Sequence, residues 1–350
     1  MLEEISLWVL SKLPAEFAHN VAKRGMKRGL FAPGEYRTTE SETELFGVKL
    51  PNPFGVAAGF DKYAELHGVV RNYGFAWIEE GSFTFGGGRG NKKPRLFRLE
   101  NGGLLNRMGL NCISSERAAE IYESVEDQTT FAVNIAKTND KNISGDKAIE
   151  DIVRSYVALR KFGIYTVINV SCPNTWDGRT FEDNPDNFKE LVSELGIHKS
   201  LKTRPLVFKF SPSLSSERLE ELVDISYELV DGYEALNTRP IEHSEYGKGG
   251  VSGQSLKLDA LGTVRFLKEI VRDEKVILGV GGISTGKELY NMIEAGANAC
   301  LAYTGFVYRN ERNPYAGPRF AHFVLREYEK LKDGRKEKSG QRFEAVRYGN

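Results

Sequence analysis

The run from Tyr165 to Thr175 closes a β-rich stretch with Asn169, Ser171, Cys172, Asn174 and Thr175, and Pro173 stops any continuation of a strand ladder. A thiol and several amide side chains thus arrive together at one strand end. A thiolate can serve as base or nucleophile, while a buried thiol can also be plain packing. Two lysines, Lys62 and Lys209, lie in or just after other apolar runs. An ammonium in such a place is costly without a partner. Each therefore implies a bound anion, an electron-rich ring, or an internal carboxylate such as Asp61.

These groups need a scaffold that gathers strand ends. Eight apolar, β-like runs can be read: Pro53–Gly59, Phe75–Phe83, Phe131–Ala136, Tyr165–Cys172, Pro205–Ser211, Tyr233–Thr238, Lys275–Gly282 and Ala299–Gly305. Helical patterns separate most of them, among them Ser115–Val125, Ser216–Val230 and Lys287–Ala295, the last stopped by Gly296. Eight continuous apolar strands alternating with helices predict an α/β fold, a (β/α)8 TIM barrel. An open doubly wound sheet is the competing architecture. Its glycine fingerprint should follow the first strand, and Ala57-Ala-Gly-Phe-Asp-Lys62 does not fit it. Two further helices precede the barrel, over residues 2–13 and 15–29, broken at Pro14. The expected organisation is an N-terminal two-helix extension over 1–30, a barrel over 45–331, and a polar tail over 332–350 expected to be disordered in part.

In such a barrel the site lies at the C-terminal strand ends. Those ends carry Gly59 to Lys62, Ser82, Asn134, the Asn169–Thr175 cluster, Lys209, Asn237 with Thr238, Gly281 with Gly282, and Tyr303 to Gly305. The glycines after strand seven and the small residues after strand eight fit a phosphate site, since glycine lets backbone N–H groups approach closely. A long insertion after strand two holds Gly86–Gly90, Lys93–Leu99 and Gly103–Asn111. Its Asn106 and Asn111 offer neutral donors and acceptors to an amide-rich ring, or else decorate a surface hairpin.

The whole-chain totals narrow the function class. The 350 residues carry 48 Lys+Arg against 48 Asp+Glu, so no basic excess marks a nucleic-acid partner. Cys112, Cys172 and Cys300 are widely spaced, which gives neither a zinc motif nor a disulfide scaffold; no metal is expected. No apolar run approaches the roughly 20 residues that span a bilayer.

The chain resembles the dihydroorotate dehydrogenase family, specifically its quinone-dependent class 2. The matching segments are Asn52–Lys62, Lys93–Leu99, Asn106–Asn111, Asn169–Thr175, Gly249–Gly253 and Gly279–Ile283, together with Leu13–His19 in the N-terminal helices. The resemblance implies FMN as cofactor and oxidation of dihydroorotate to orotate in pyrimidine synthesis. By motif it implies FMN contacts at Ala58, Gly59, Lys62, Ser82, Asn134, Asn169, Lys209, Gly253, Gly282, Tyr303 and Thr304. It implies substrate contacts at Lys62, Asn106, Arg107, Met108, Gly109, Leu110, Asn169, Asn174, Asn237 and Thr238. Cys172 stands at the catalytic base position, where class 2 members usually have Ser and the soluble class 1 enzymes have Cys. A thiol of pKa about 8.5 is already a few per cent thiolate at neutral pH, which suits it to take a C5 proton while hydride leaves C6 for flavin N5.

Other departures are Leu236, where the family usually has Thr, and the unusual loop 239–248. They leave open another dihydropyrimidine-like substrate. A dihydrouridine synthase-like enzyme shares a Cys-Pro near strand four, but this chain lacks its basic RNA-binding extension. The resemblance also implies a quinone as electron acceptor, entering through the N-terminal helices. Their apolar stripe (Leu2, Ile5, Trp8, Val9) and basic group (Lys23, Arg24, Lys27, Arg28) can lie on an anionic membrane surface or pack on the barrel. The expected location is peripheral on the cytoplasmic face of a membrane, or soluble in the cytoplasm if the helices only pack.

Overall fold

A computed structural model describes residues 2–172, 180–200, 202–308, 310 and 316–347, with side chains as far as residue 334. Eight parallel strands close a barrel: β3 (Phe54–Val56), β4 (Ile78–Phe83), β7 (Phe131–Ile135), β8 (Thr166–Asn169), β9 (Leu206–Phe210), β10 (Gly232–Ala235), β13 (Val276–Val280) and β14 (Ala299–Ala302). Seven fall within runs read from the sequence and β10 starts one residue before its run, and the chain closes on itself where β14 pairs with β3, Leu301 opposite Gly55. The chain is therefore a (β/α)8 barrel. Helices α3 (Ser115–Tyr122), α4 (Asp146–Leu159), α5 (Pro185–His198), α6 (Ser216–Ser226), α7 (Lys257–Val271), α8 (Gly286–Glu294) and α10 (Phe320–Arg347) lie among the barrel strands and after them, with α9 (Thr304–Val307) a single turn after β14. Ser114 and Thr285 cap α3 and α8 by accepting backbone N–H bonds at their first turns. The residues read as a polar tail continue as α10 to Arg347, because its first turns bury Phe320, Val324 and Leu325 and carry the helix outward.

Strand alternation sorts the barrel residues. Leu206, Phe208 and Phe210 face the outer helices in one cluster, while Tyr165, Val167, Val207, Leu278 and Leu301 fill the interior in another. The hairpin β1 (Thr43–Leu45) and β2 (Val48–Leu50) closes the barrel floor with Leu45 and Leu50, and Phe46 packs on Tyr165 at 5.4 Å. Trp77 sits just above, fully buried, its indole donating to the Tyr165 hydroxyl (2.9 Å). Gly55 is required there, since a Cβ would fall 2.7 Å from the indole.

Two additions flank the mouth. The insertion after β4 supplies β5 (Leu96–Arg98) and β6 (Leu104–Asn106), and loop 239–248 supplies most of β11 (Arg239–His243) and β12 (Gly247–Ser252). The four form one sheet in the order β11-β12-β6-β5, with Gly250 opposite Asn106. The N-terminal helices α1 (Leu2–Lys12) and α2 (Ala15–Lys27) break at Pro14 and pack toward β5. Replacing Trp77 by Ala should cost about 3–5 kcal/mol of stability. Chemical denaturation measures this, and a loss under about 1 kcal/mol would show that the floor is not packed around this ring.

Candidate active site

The loop after β3 is built around a buried carboxylate. Asp61 is fully buried and accepts from the backbone N–H groups of Tyr63 (3.0 Å), Glu65 (2.6 Å) and Leu66 (2.8 Å). The Lys23 ammonium of α2 completes the set at 2.7 Å and also reaches Glu65 at 2.8 Å. These donors outweigh the effect of burial and hold Asp61 below the usual carboxylate range. Lys62 is thereby left without a carboxylate among the described residues. Its ammonium donates to the Gly59 carbonyl (2.7 Å), and burial with Lys23 nearby lowers its pKa to about 8. Of the two lysines singled out by sequence, Lys209 is the one in an internal ion pair, with Glu234 at 2.6 Å.

The cavity at the barrel mouth is lined by Ala58, Gly59, Lys62, Ser82, Asn169, Lys209, Gly253, Gly282, Tyr303 and Thr304, all expected at the cofactor. Asn106, Met108, Gly109, Leu110, Asn237 and Thr238 line it as well, and so does Cys172. Two expected residues lie elsewhere. Asn134 is one layer below, donating to Glu79 (2.7 Å) and accepting from Ser82 (2.5 Å). The Arg107 guanidinium turns outward to the Tyr246 carbonyl (2.9 Å), since alternation past Asn106 points it away from the mouth. Asn174 falls outside the described residues.

The β8 end separates its two candidate bases. Ser171 is buried and held by Asn169 (3.2 Å), the Lys209 carbonyl (3.1 Å) and the Asn237 amide (2.9 Å). Cys172, the next residue, faces the cavity instead. Sequence reading missed Gln254, which lines the cavity and donates to the Gly282 carbonyl (3.1 Å) and to Ser284. Its position directly after Gly253 was the available signal. Ser252, bonded to Thr304 at 2.8 Å, was missed too.

The mouth is lined by two chemically distinct kinds of group. Gly253 (φ 105°) and Gly282 (φ 73°) hold backbone conformations that side chains resist, and a Cβ at Gly282 would strike Lys257 at 2.7 Å. Both glycines are thus required by close packing of the chain on itself at the rim of the cavity. The cavity also carries Lys62, Lys209 and three amides, Asn106, Asn169 and Asn237. Such a mouth, at the C-terminal ends of the strands, is where a (β/α)8 enzyme carries its site, and its donors suit a ring cofactor beside a small polar substrate.

The family model described as dihydroorotate dehydrogenase matches residues 40–315. Relatives named dihydroorotate dehydrogenase (quinone) include one from Haloarcula marismortui, 35% identical and covering 86% of this chain and 88% of its own. Another, from Natronomonas pharaonis, is 34% identical and covers 92% of both chains. A crystal structure of DHODH from Eimeria tenella in complex with ferulenol superposes with a TM-score of 0.81 at 27% identity, covering 92% of each chain. The chain belongs to the dihydroorotate dehydrogenase family and is an oxidoreductase whose cofactor is a flavin. The mouth fits that group, with Ser82, Asn169 and Lys209 lining it as polar donors.

Because its folded pKa is depressed, Asp61 contributes stability that is complete above the unfolded carboxylate value and is lost as pH falls through the folded one. Asp61→Asn should cost about 1–3 kcal/mol by leaving the buried Lys23 with only the partly exposed Glu65 as its countercharge. It should also flatten the acid limb of stability below about pH 4, as read from urea midpoints across pH. An unchanged acid limb would assign that limb to other carboxylates.

Proposed function

We propose that the chain oxidises dihydroorotate to orotate with FMN as cofactor and passes the electrons to a quinone. The observation that carries the complete reading is a shared wall. A second, largely apolar cleft runs between α1 and α2, and Leu96, Leu104 and Tyr303 line both it and the mouth cavity. A quinone head in the cleft would therefore sit one side chain away from a ring in the mouth.

Bound FMN supplies the hydride acceptor for the substrate and the electrons for the quinone. The remaining work falls to the chain. Lys62 faces the cavity unpaired by any described carboxylate, which supports it as the partner of the substrate carboxylate. Asn106 is oriented by its bond to the Gly250 carbonyl (3.1 Å), and Asn237 by Asn169 (3.0 Å), so both amides are aimed before substrate arrives. Cys172 takes the proton from C5 as its thiolate while the C6 hydrogen leaves with its electron pair, and the C5=C6 bond forms. Ser171 is excluded from that role by its three bonds within the strand ends.

His19 stands in the wall of the second cleft, stacked on Tyr303 at 6.2 Å and edge-on to Phe60 at 5.0 Å. Burial and the Lys62 charge lower its pKa to about 3, so the imidazole is neutral beside an uncharged quinone. Outside the cleft, Leu2, Trp8 and Phe17 are more than half exposed, and the Lys12 ammonium lies over the Trp8 ring. No helix among the described residues is long and apolar enough to cross a membrane. This apolar face with basic neighbours supports peripheral attachment to an anionic bilayer. Leu236 lines the mouth and favours one second reading, a related dihydropyrimidine as substrate.

An anaerobic titration separates the two readings. Dihydroorotate should bleach the flavin and a quinone analogue should restore it; flavin that stays oxidised would redirect the search to other dihydropyrimidines. Cys172→Ala should slow flavin reduction by about 10²–10⁴-fold with little change in substrate affinity. Substrate affinity should fall as pH rises through about 8, where the empty site loses the Lys62 charge, and Lys62→Met should remove that dependence. Ala22→Phe, which narrows the second cleft, should raise the quinone KM several-fold and leave flavin reduction by substrate unchanged. Equal loss in both half-reactions would argue against a separate quinone entry.

A further inference from the structure

Beneath the mouth, the barrel interior carries charges that the reaction does not use. Glu79 of β4 and Glu234 of β10 are fully buried, and both approach the Lys209 ammonium of β9. Glu234 Oε1 lies 2.6 Å from Lys209 Nζ and Glu79 Oε1 lies 3.9 Å from it. Two carboxylates and one ammonium would leave a net negative charge in a dry interior, which costs several kcal/mol. The hydrogen-bond account is also one proton short. Glu79 accepts from Asn134 (2.7 Å) and, at 3.4 Å, from the Tyr165 hydroxyl, which in turn accepts from Trp77. Glu234 Oε1 accepts from Lys209, but Glu234 Oε2 is buried with no donor among the described residues.

One proton closes both accounts. We propose that Glu79 and Glu234 share a single proton, with the Glu79 carboxyl donating to Glu234 Oε2, and that this pair positions Lys209 under the cofactor as a neutral ion pair. Burial and the Glu234 charge push Glu79 well above the usual carboxylate range, in agreement with the geometry. The polar contacts then form an unbroken line under the cavity floor: Ser82, Asn134, Glu79, Glu234, Lys209. Both ends of that line, Ser82 and Lys209, face the mouth. Glu79 and Glu234 are therefore positioning residues. They keep Lys209 charged, and the shared proton stops the countercharge from exceeding one. The consequence for the cofactor rests on the flavin reading above; the shared proton itself does not.

Infrared spectroscopy of the whole protein tests the proton directly. Beside the bands of the buried Glu80 and Glu182, which Glu80→Gln and Glu182→Gln identify, the wild type should show a further protonated carboxyl C=O band that shifts in D2O and is missing from both Glu79→Gln and Glu234→Gln, because the surviving carboxylate ionises against Lys209. Absence of such a band in the wild type overturns the proposal. So does a band that persists in Glu234→Gln, which would mean that Glu79 is protonated by burial alone. The flavin midpoint potential then tests the consequence. Each single variant keeps one countercharge and should leave the potential nearly unchanged. The double variant leaves Lys209 uncompensated and should favour reduced flavin about tenfold, or about 30 mV for a two-electron couple. Equal, additive rises in the two single variants would mean that both groups are ionised and would overturn the sharing. A protein that carries the band but binds no flavin would retain the proton pair and refute the flavin reading alone.

Discussion

The contact on which the rest depends is the one between Asp61 and Lys23. A buried carboxylate is tolerable only when its lone pairs are filled, and here three backbone N–H groups and one ammonium fill them. Those donors fix the shape of the loop after β3, and the ammonium pins α2 to it. One charge pair thus joins the helical extension to the barrel mouth. It also decides the fate of the next residue. With Asp61 committed to Lys23, Lys62 has no described carboxylate partner and remains available to a ligand carboxylate.

The barrel interior is divided by depth, and the division follows from where water and ligand can reach. The floor is apolar, with Leu45, Leu50 and Trp77 sealing it. Above it lies a polar layer of Glu79, Asn134, Asn169, Lys209 and Glu234, buried yet almost fully paired. Packing at the floor gives the fold its stability, while the polar layer holds its side chains in one arrangement because a half-satisfied network is costly. The mouth can therefore present oriented amides and ammonium groups without each substrate having to order them.

In the proposed reaction the two cavities would divide the redox chemistry by polarity. The mouth offers charge and amides to a polar acid, and the cleft between α1 and α2 offers apolar side chains to a lipid-soluble acceptor. Tyr303, Leu96 and Leu104 separate them while keeping them adjacent.

Much of this was legible in the sequence. The eight strands were readable because parallel barrel strands are buried on both faces and appear as unbroken apolar runs. The strand-end rule then located Cys172, Lys209, Asn237 and Gly282 without any knowledge of contacts. The sheet β11-β12-β6-β5 was not readable, because its strands lie far apart in the chain and are short and half exposed. Gln254, Ser252 and the turn of Arg107 away from the mouth were hidden for a related reason, since a side chain's direction at a strand or loop end depends on local register.

By itself, the sequence determined which residue types reach the barrel mouth, because alternation and strand order are local properties of the chain. Only the tertiary structure decided which of them line the cavity and which are tied up beneath it. Lys62 and Lys209 look alike in sequence, yet one is left for a ligand and the other meets Glu234. Ser171 and Cys172 are neighbours, yet one is held by three bonds and the other faces the cavity. Pairing is settled across strands, between residues tens to hundreds of positions apart, and no local pattern encodes it.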